Sequence, residues 1–506
     1  MRGTFRTCVW LLACLALLAA CGGRSTATQS GGVSSDNARP PRTVPDGDWT
    51  TFDYNSQRSG VGPAETGITA GDLGRLRRRV VQLDGTVDSS AIQLHGVSIR
   101  SRKRDVIVMS TTYGRTIALD PGTGAKLWEY TPDDISAYQG SAQVTTATPV
   151  ADPSRRYVYA ASPDGRIHKL ALASGREVRS RGWPARVTFS PTREKIASAV
   201  NVSGNSLITV TGGYLGDTPP YQGHVVMIDR ASGRITHVFN TLCSNRRQLI
   251  QPSSCGASDS AIWARAGAVI EPGTRRILLA TGNAPFNGVT DWGDSVLELA
   301  PDASRLLHNW TPRNQAQLNT SDADLGSTAP ALLPETHGLR LAVQGGKDGH
   351  LYLLNLNRLD GTGGAAGPRT GGELQEIPAP GGDQVFTAPA VWTHAGRTYV
   401  FVANGSGTAA YVLGGGGHPV LSVAWSNSTA GTSPVAAGGL LYVYDPADGS
   451  LVIRRPTNGA MLGSLAAAGG HWNSPIVLGG RIIVPVGNYQ THSTSGTVYI
   501  YHLPGR

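Results

Sequence analysis

Residues 114–128 read Gly-Arg-Thr-Ile-Ala-Leu-Asp-Pro-Gly-Thr-Gly-Ala-Lys-Leu-Trp, a short apolar strand held between two glycine-containing turns. The opening of this stretch, a turn glycine followed by an alternating strand, recurs through the chain. Clearer copies begin at Gly165, Gly223, Gly349 and Gly496, and degenerate copies begin at Gly293, Gly407 and Gly449. Successive starts lie roughly 40 to 70 residues apart, which is typical of repeated four-stranded units. The chain is therefore predicted to contain eight similar β-sheets.

A second phrase, a small residue followed by proline and apolar residues, marks predicted strand starts between these copies. It occurs as Thr148-Pro149-Val150, Ala329-Pro330-Ala331, Ala388-Pro389-Ala390, Ser433-Pro434-Val435 and Ser474-Pro475-Ile476. Proline suits the first residue of a strand because its missing N–H costs no ladder hydrogen bond there. Charged residues make up only 16% of the chain and long helical periodicity is absent, so the pattern predicts an all-β fold. We predict an eight-bladed β-propeller with four-stranded antiparallel blades. The predicted blades span residues 88–128, 142–180, 190–240, 258–312, 322–360, 380–427, 429–465 and 470–506.

An additional strand is predicted ahead of the first blade. The segment Leu76 to Asp84 is apolar enough to form one. We expect it to pair with the last blade near Tyr499, because closing the ring removes the exposed edges that an open array would leave.

The first twenty residues have the features of a targeting segment. Arg2 and Arg6 give a basic start, and the apolar stretch that follows is too short to span a bilayer comfortably. It ends in Leu-Ala-Ala-Cys-Gly, which resembles the lipobox of bacterial lipoproteins and implies a signal peptide over 1–20 with lipidation at Cys21. The alternative is an ordinary signal peptide with a chance cysteine. Residues 21–47 are rich in Gly, Ser, Thr and Pro and are predicted to be a flexible tether to a domain over 48–506. The predicted location is extracytoplasmic, with a lipid anchor in a bacterial cell-envelope membrane.

Two cysteines remain in the predicted mature domain, Cys243 and Cys255. An even pair in an oxidising compartment predicts one disulfide. The alternative is two free thiols or half of a metal site, although no histidine or further cysteine clusters nearby in the sequence.

The net charge of +9 does not indicate a nucleic-acid partner. Basic runs occur at 75–79 and 102–104, but neither carries interleaved aromatic residues. We interpret both runs as solvated faces, with attraction to anionic lipid or cell-wall polymer as the alternative, and we expect a monomer.

Residues 118–124 together with Trp128 resemble the tryptophan-docking motif of the pyrroloquinoline quinone (PQQ) repeat. This repeat is found in quinoprotein dehydrogenases and in a related non-enzymatic outer-membrane assembly lipoprotein. The resemblance covers about 48–506 and implies a quinoprotein alcohol dehydrogenase-like propeller, in which the indole lies between neighbouring blades. Gly175 and Gly233 keep the turn glycine, but no tryptophan follows at the matching place.

The same resemblance implies a candidate cofactor site. Trp263 matches the tryptophan that stacks on PQQ, and Lys347 matches the basic residue that meets the quinone oxygens. Asn283 matches a calcium-binding asparagine, and Asp324 falls where a calcium ligand and catalytic base is expected. In the alternative reading, Trp263 is a packed blade residue, Asn283 a turn former, Asp324 a strand-entry cap and Lys347 a solvated turn residue.

Two departures from the family pattern bear on that site. No two cysteines are adjacent, so the family's disulfide ring against the cofactor has no counterpart. The carboxylate ligand expected from the preceding blade is also missing, because the matching stretch 212–217 offers only Asp217.

The sequence therefore leaves two functions open. The first is a lipid-anchored extracytoplasmic binding or scaffolding module for a cell-envelope protein or glycan, which needs no cofactor. The alternative is a PQQ- and calcium-dependent dehydrogenase that oxidises a small alcohol or sugar, with Asp324 as the base.

Overall fold

The computed structural model describes residues 47–359 and 369–505. The predicted signal peptide, Cys21 and nearly all of the predicted tether lie outside the described residues. No helix within these ranges has both the length and the apolar character needed to cross a membrane.

The described residues form eight four-stranded antiparallel sheets, and the predicted propeller is confirmed. Blades 1 to 7 each run in chain order from a buried inner strand to a more exposed outer strand, as Val435–Ala437 and Met461–Ala466 of blade 7 show. The strands are, for blade 1, Ile92–Ile99, Arg102–Ser110, Thr116–Leu119 and Lys126–Tyr130; blade 2, Val150–Ala151, Tyr157–Ser162, Arg166–Ala171 and Ala185–Arg186; blade 3, Asn201–Ser203, Ser206–Val210, His224–Asp229 and Ile235–Asn240; blade 4, Val269–Ile270, Ile277–Ala280, Val296–Leu299 and Leu306–Trp310; blade 5, Ala331–Thr336, Leu339–Gly345, His350–Asn355 and Gln375–Pro378; blade 6, Ala390–His394, Arg397–Ala403, Thr408–Gly414 and Val420–Asn427; blade 7, Val435–Ala437, Leu440–Asp445, Ser450–Arg454 and Met461–Ala466; blade 8, Ile476–Leu478, Arg481–Val486, Gly496–His502 and, from the start of the chain, Arg77–Leu83.

Among the described residues, little regular structure lies outside the blades. Glu194–Lys195 and Gly212–Gly213 form a small two-stranded sheet beside blade 3. The helical segments are the α-helix Gln315–Thr320 and the 3-10 turns Ala70–Arg75, Ile135–Ala137, Pro252–Ser254, Leu325–Ser327, Leu356–Arg358, Pro380–Gly382 and Tyr489–Thr491.

The ring closes as the sequence predicts. Arg77–Leu83 pairs antiparallel with Gly496–His502, and Val80 lies opposite Tyr499. Blade 8 is therefore built from both ends of the domain. One apolar cluster joins blades 7, 8 and 1 through residues such as Tyr442, Ile483 and Ile107, so the seam is packed as well as hydrogen-bonded.

The proline phrases mark inner strands, as predicted. In five blades the residue after the proline is the first residue of the inner strand, at Val150, Ala331, Ala390, Val435 and Ile476. The missing proline N–H thus falls just outside the ladder, where it costs no pairing.

Two predicted blade limits exclude a whole outer strand, and those of blades 1 and 7 fall one or two residues short. The outer strand of blade 5 is Gln375–Pro378, beyond the predicted limit at 360, and that of blade 2 is Ala185–Arg186, beyond the limit at 180. Outer strands pair on one side only and are short here, so they carry little of the apolar alternation by which the other strands were recognised.

Trp128 docks blade 1 against blade 2, as its motif implies. Its indole Nε1 donates to the Leu172 carbonyl oxygen at 2.7 Å. The indole also covers Gly175, where an added Cβ would lie only 2.5 Å from the ring. The contact therefore requires glycine at that turn.

Two further tryptophans pack over a turn glycine of the next blade in the same way, including at a repeat where no tryptophan stands at the matching place in the sequence. Trp183 covers Gly233 between blades 2 and 3, and Trp425 covers Gly459 between blades 6 and 7. Trp183 follows its own turn glycine, Gly175, at a greater distance in sequence than Trp128 follows Gly124. Because an insertion alters this spacing, the repeat was not visible as a motif.

Residues 49–62, here called the plug segment, cross the central channel. Carbonyl oxygens of this segment accept backbone N–H groups from inner strands of four blades, namely Thr50 from Ala151, Ser56 from Ile270, Ser59 from Val391 and Gly60 from Ala436. Trp49 exchanges two backbone hydrogen bonds with Gln93 of blade 1. Since inner strands surround the channel, a segment bonded to so many of them must lie across it.

Candidate functional site

A cavity of about 470 Å³, here called the channel-mouth cavity, opens at the centre of the ring. Four of its lining residues, Trp263, Asp324, Phe386 and Trp472, stand just ahead of the inner strands of blades 4, 5, 6 and 8. The closed ring thus brings together residues that are far apart in sequence. The size is typical of small-molecule sites.

Three partly exposed rings, Trp263, Phe386 and Trp472, form an aromatic floor in this cavity. Their centroids are 5.8–5.9 Å apart, and the planes of Trp472 and its two neighbours differ by only 21–30°. Such a surface can bind one face of a flat ring.

Lys347 lies beside this floor and holds two carboxylates. Its Nζ is 2.5 Å from Asp324 Oδ2, 3.0 Å from Asp322 Oδ1 and 5.5 Å from the centre of the Trp263 ring. Burial acts to lower the pKa of Lys347, but the charges and hydrogen bonds of Asp324 and Asp322 together outweigh it and raise the pKa. Lys347 is therefore a charged partner of Asp324, which is itself buried.

Asn283 lies next to this ion pair. Its backbone N–H donates to Asp324 Oδ1 at 2.8 Å, and its side-chain Nδ2 donates to Asp322 Oδ1 at 2.9 Å. The side-chain Oδ1 is buried and accepts no hydrogen bond. The four residues named from the sequence thus lie together, with Trp263, Asp324 and Lys347 in the cavity wall and Asn283 touching Asp324. Their roles toward a cofactor stay predictions.

The strand-entry explanation for Asp324 is not supported by the contacts. Asp324 precedes the 3-10 turn Leu325–Ser327, but its side chain makes no capping hydrogen bond to that turn. Its oxygens instead face Lys347 and Asn283.

Apart from Asn283 Oδ1, the side-chain oxygens at this site are engaged by other groups, which does not favour a calcium ion. Calcium takes six to eight oxygen ligands, several of them carboxylate. Asp324 is already neutralised by Lys347, and Asp217, although it lines the cavity, accepts the Tyr221 hydroxyl at 2.8 Å. The segment expected to supply the missing carboxylate instead pairs Gly212 with Lys195, whose side chain lines the same cavity. A buried ammonium in this wall opposes a divalent cation.

The cysteine prediction is confirmed, because Cys243 and Cys255 form a disulfide. Together with Asp291 they are the only group of three or more potential metal-binding side chains that the described part of the chain brings within 4.8 Å. Bonded sulfurs are poor metal ligands, so we interpret this group as a disulfide rather than a metal site, and neither cysteine lines the channel-mouth cavity.

Sequence reasoning missed most of the cavity lining, including Lys195, Phe386 and Trp472. Phe386 and Trp472 each stand three residues before the proline of a proline phrase, at Pro389 and Pro475. The offset alone does not identify an aromatic residue at the channel mouth, because the other three proline phrases have Thr146, Ser327 and Gly431 at the same place. Nothing comparable marks Lys195.

Comparison with known proteins agrees with this architecture. Residues 81–237 match the PQQ_2 family profile, described as outer membrane protein assembly factor BamB. The quinohemoprotein alcohol dehydrogenase from Comamonas testosteroni is similar in structure, with a TM-score of 0.65 and 16% identity over 93% of this chain and 82% of that one. The quinohemoprotein alcohol dehydrogenase ADHIIG from Pseudomonas putida HK5 has a TM-score of 0.67 and 14% identity, over 91% of this chain and 81% of that one. A europium-containing methanol dehydrogenase has a TM-score of 0.64 and 16% identity, over 90% of this chain and 98% of that one.

No curated protein sequence matches the chain significantly. At these identities the structural likeness concerns the fold. The chain is an eight-bladed β-propeller with the fold of the quinoprotein alcohol dehydrogenases, and its residues 81–237 match the PQQ_2 family model.

Proposed function

We propose that this protein is a lipid-anchored extracytoplasmic binding module of the cell envelope, which captures a ligand in the channel-mouth cavity. The lipobox-like sequence ending at Cys21 supports the anchor and the location. The match to a family described as an outer membrane protein assembly factor supports a non-catalytic role.

The observation that carries this proposal is the pairing of Asp324 with Lys347. A general base must be free to accept a proton, and a calcium ligand must be free to meet the ion. Asp324 is engaged by an ammonium group and by a backbone N–H, and Lys195 adds a second cation to the wall. These contacts favour binding over redox catalysis.

Reconstitution tests the proposal. Purified full-length protein is mixed with PQQ and calcium, then followed by calorimetry and by dye reduction with a panel of alcohols and sugars. We expect no calcium-dependent binding of PQQ and no dye reduction, with the Asp324→Asn variant indistinguishable from the wild type. Calcium-dependent binding together with dye reduction in the wild type, both lost in Asp324→Asn, would overturn it.

A dehydrogenase that uses PQQ to oxidise an alcohol or sugar is the second candidate. One observation favours it: the buried Asn283 Oδ1 has no hydrogen-bond partner, and an oxygen in that state is suited to a cation. This function requires Asp324 to exchange Lys347 for a metal, and the reconstitution experiment decides between the two candidates.

A further inference from the structure

Lys195 occupies an unusual position in the wall of the channel-mouth cavity. It lies on the two-stranded sheet beside blade 3, opposite Gly212, and its residue surface is only 6% exposed. Within the described residues its Nζ has no hydrogen-bond or ion-pair partner, and it lies over the face of the Tyr489 ring, 4.6 Å from the ring centre. Lys347, the other lysine of the cavity, is by contrast fully paired.

Burial of an ammonium group without a charged partner costs folding free energy. Burial lowers the pKa of Lys195 to about 8. The positive charge of Arg265 also lowers this pKa, whereas the negative charges of Asp88 and Asp217 raise it. Buried charges in proteins are normally paired. A lysine that is not paired by its own chain, and that faces a cavity, is suited to an anionic group from outside.

The nearby carboxylates are already committed to other partners. Asp88 Oδ2 lies 2.8 Å from His471 Nδ1 and accepts the Tyr489 backbone N–H at 3.0 Å. Asp217 accepts the Tyr221 hydroxyl. Neither carboxylate lies within ion-pair distance of Lys195, so the ammonium remains available to a ligand.

The rest of the cavity indicates what the anion is attached to. The aromatic floor offers an apolar surface for one face of a ring, and the C–H groups on the face of a pyranose carry the partial positive charge that aromatic faces attract. Around the floor stand hydrogen-bonding side chains, including Asp322, Gln384 and Gln490, which suit hydroxyl groups. An apolar ring face edged with hydroxyls is the chemistry of a sugar.

We propose that the channel-mouth cavity binds an acidic sugar, a pyranose that carries a carboxylate, with the carboxylate on Lys195 and the ring on Trp263, Phe386 and Trp472. The inference rests on the proposed binding function and names its ligand class. Three cavity features match three ligand features: one unpaired cation for one carboxylate, a flat aromatic floor for one ring face, and polar side chains for the hydroxyls. The cavity volume of about 470 Å³ is sufficient for a single sugar ring.

Calorimetry with the full-length protein at pH 7 tests this inference. The probes are glucuronate, its neutral counterpart glucose, and benzoate as a flat anion without hydroxyls. We expect saturable binding of glucuronate that is tighter than binding of glucose or benzoate. Replacement of Lys195 by glutamine should weaken glucuronate at least about tenfold, as loss of a charge-assisted hydrogen bond does, while Lys195→Arg retains most of the affinity.

The matched control is Lys103→Gln, which removes an exposed lysine of blade 1 and should leave binding unchanged. Thermal unfolding checks that the variant is folded. Because Lys195 is an unpaired buried charge, the melting temperature of Lys195→Gln is expected to be no lower than that of the wild type. Equal glucuronate affinity in wild type and Lys195→Gln would overturn the inference, as would absence of glucuronate binding or a preference for benzoate. Failure of the proposed function is read separately, from calcium- and PQQ-dependent dye reduction.

Discussion

The double substitution Gln82→Cys, Thr497→Cys is expected to form a disulfide and to raise the stability of the domain strongly. Gln82 lies directly opposite Thr497 where the closing strand Arg77–Leu83 meets the last strand of blade 8. Cα atoms of such antiparallel partners are about 4.5–5.5 Å apart, within the range of a disulfide. The bond would close a loop of 415 residues, for which the chain-entropy relation gives about 6 kcal/mol at 298 K as an upper value. The measurement is the unfolding midpoint with and without reductant.

The wild type under the same reductant controls for the native disulfide between Cys243 and Cys255. An off-register pair, Arg78→Cys with Thr497→Cys, controls for adventitious cross-linking, because Arg78 lies opposite Tyr501 and is too far from position 497 to bond. If the folded on-register variant kept two free thiols, the assigned closure of the ring would be wrong.

Replacement of Arg58 by methionine is expected to cost about 5 kcal/mol or more and to prevent accumulation of folded protein at 37 °C. Arg58 belongs to the plug segment and is 3% exposed. Its guanidinium donates to backbone carbonyl oxygens of Phe52, Ala199, Val200 and Ala266, at 2.9–3.3 Å. Methionine would leave these acceptors buried without donors. A typical domain has only about 5–15 kcal/mol of stability to lose.

A buried carboxylate increases the effect of this substitution. Burial lowers the pKa of Arg58 to about 9, while the charge of Asp53 acts to raise it, and both oxygens of Asp53 are buried without a hydrogen bond. Arg247→Met, which removes an exposed arginine with one hydrogen bond to Ser304, is the matched control and should change the denaturation midpoint little. Equal midpoints for the Arg58 and Arg247 variants in urea would show that the plug segment does not hold the inner strands together.

Much of the ring could be predicted because its signals are local. The turn glycine at Gly114 and the proline at Pro475 act on their own neighbours, and both lie where their chemistry requires. The closing strand was predictable because an unused apolar segment preceded the first blade. The outer strand Gln375–Pro378 was not, since its place depends on packing against blade 5 rather than on its own pattern.

The candidate site also contains features that the sequence predicts and features that it does not. Asp324 and Lys347 could be named from a family motif, but their ion pair could not, because it depends on the approach of two segments. Lys195 does not belong to any recognisable sequence motif. It becomes part of the cavity only when the ring brings blade 3 to face Tyr489 near the end of the chain.

Terbium luminescence tests the central claim most directly, that Asp324 is held by Lys347 and is not available to a metal. Terbium(III) substitutes for calcium at oxygen sites and emits when a nearby tryptophan is excited, and Trp263 lies beside the Asp324–Lys347 pair. We predict no saturable terbium emission from the full-length protein. Saturable emission that Asp324→Asn abolishes, and that the exposed-site control Asp302→Asn retains, would contradict the account.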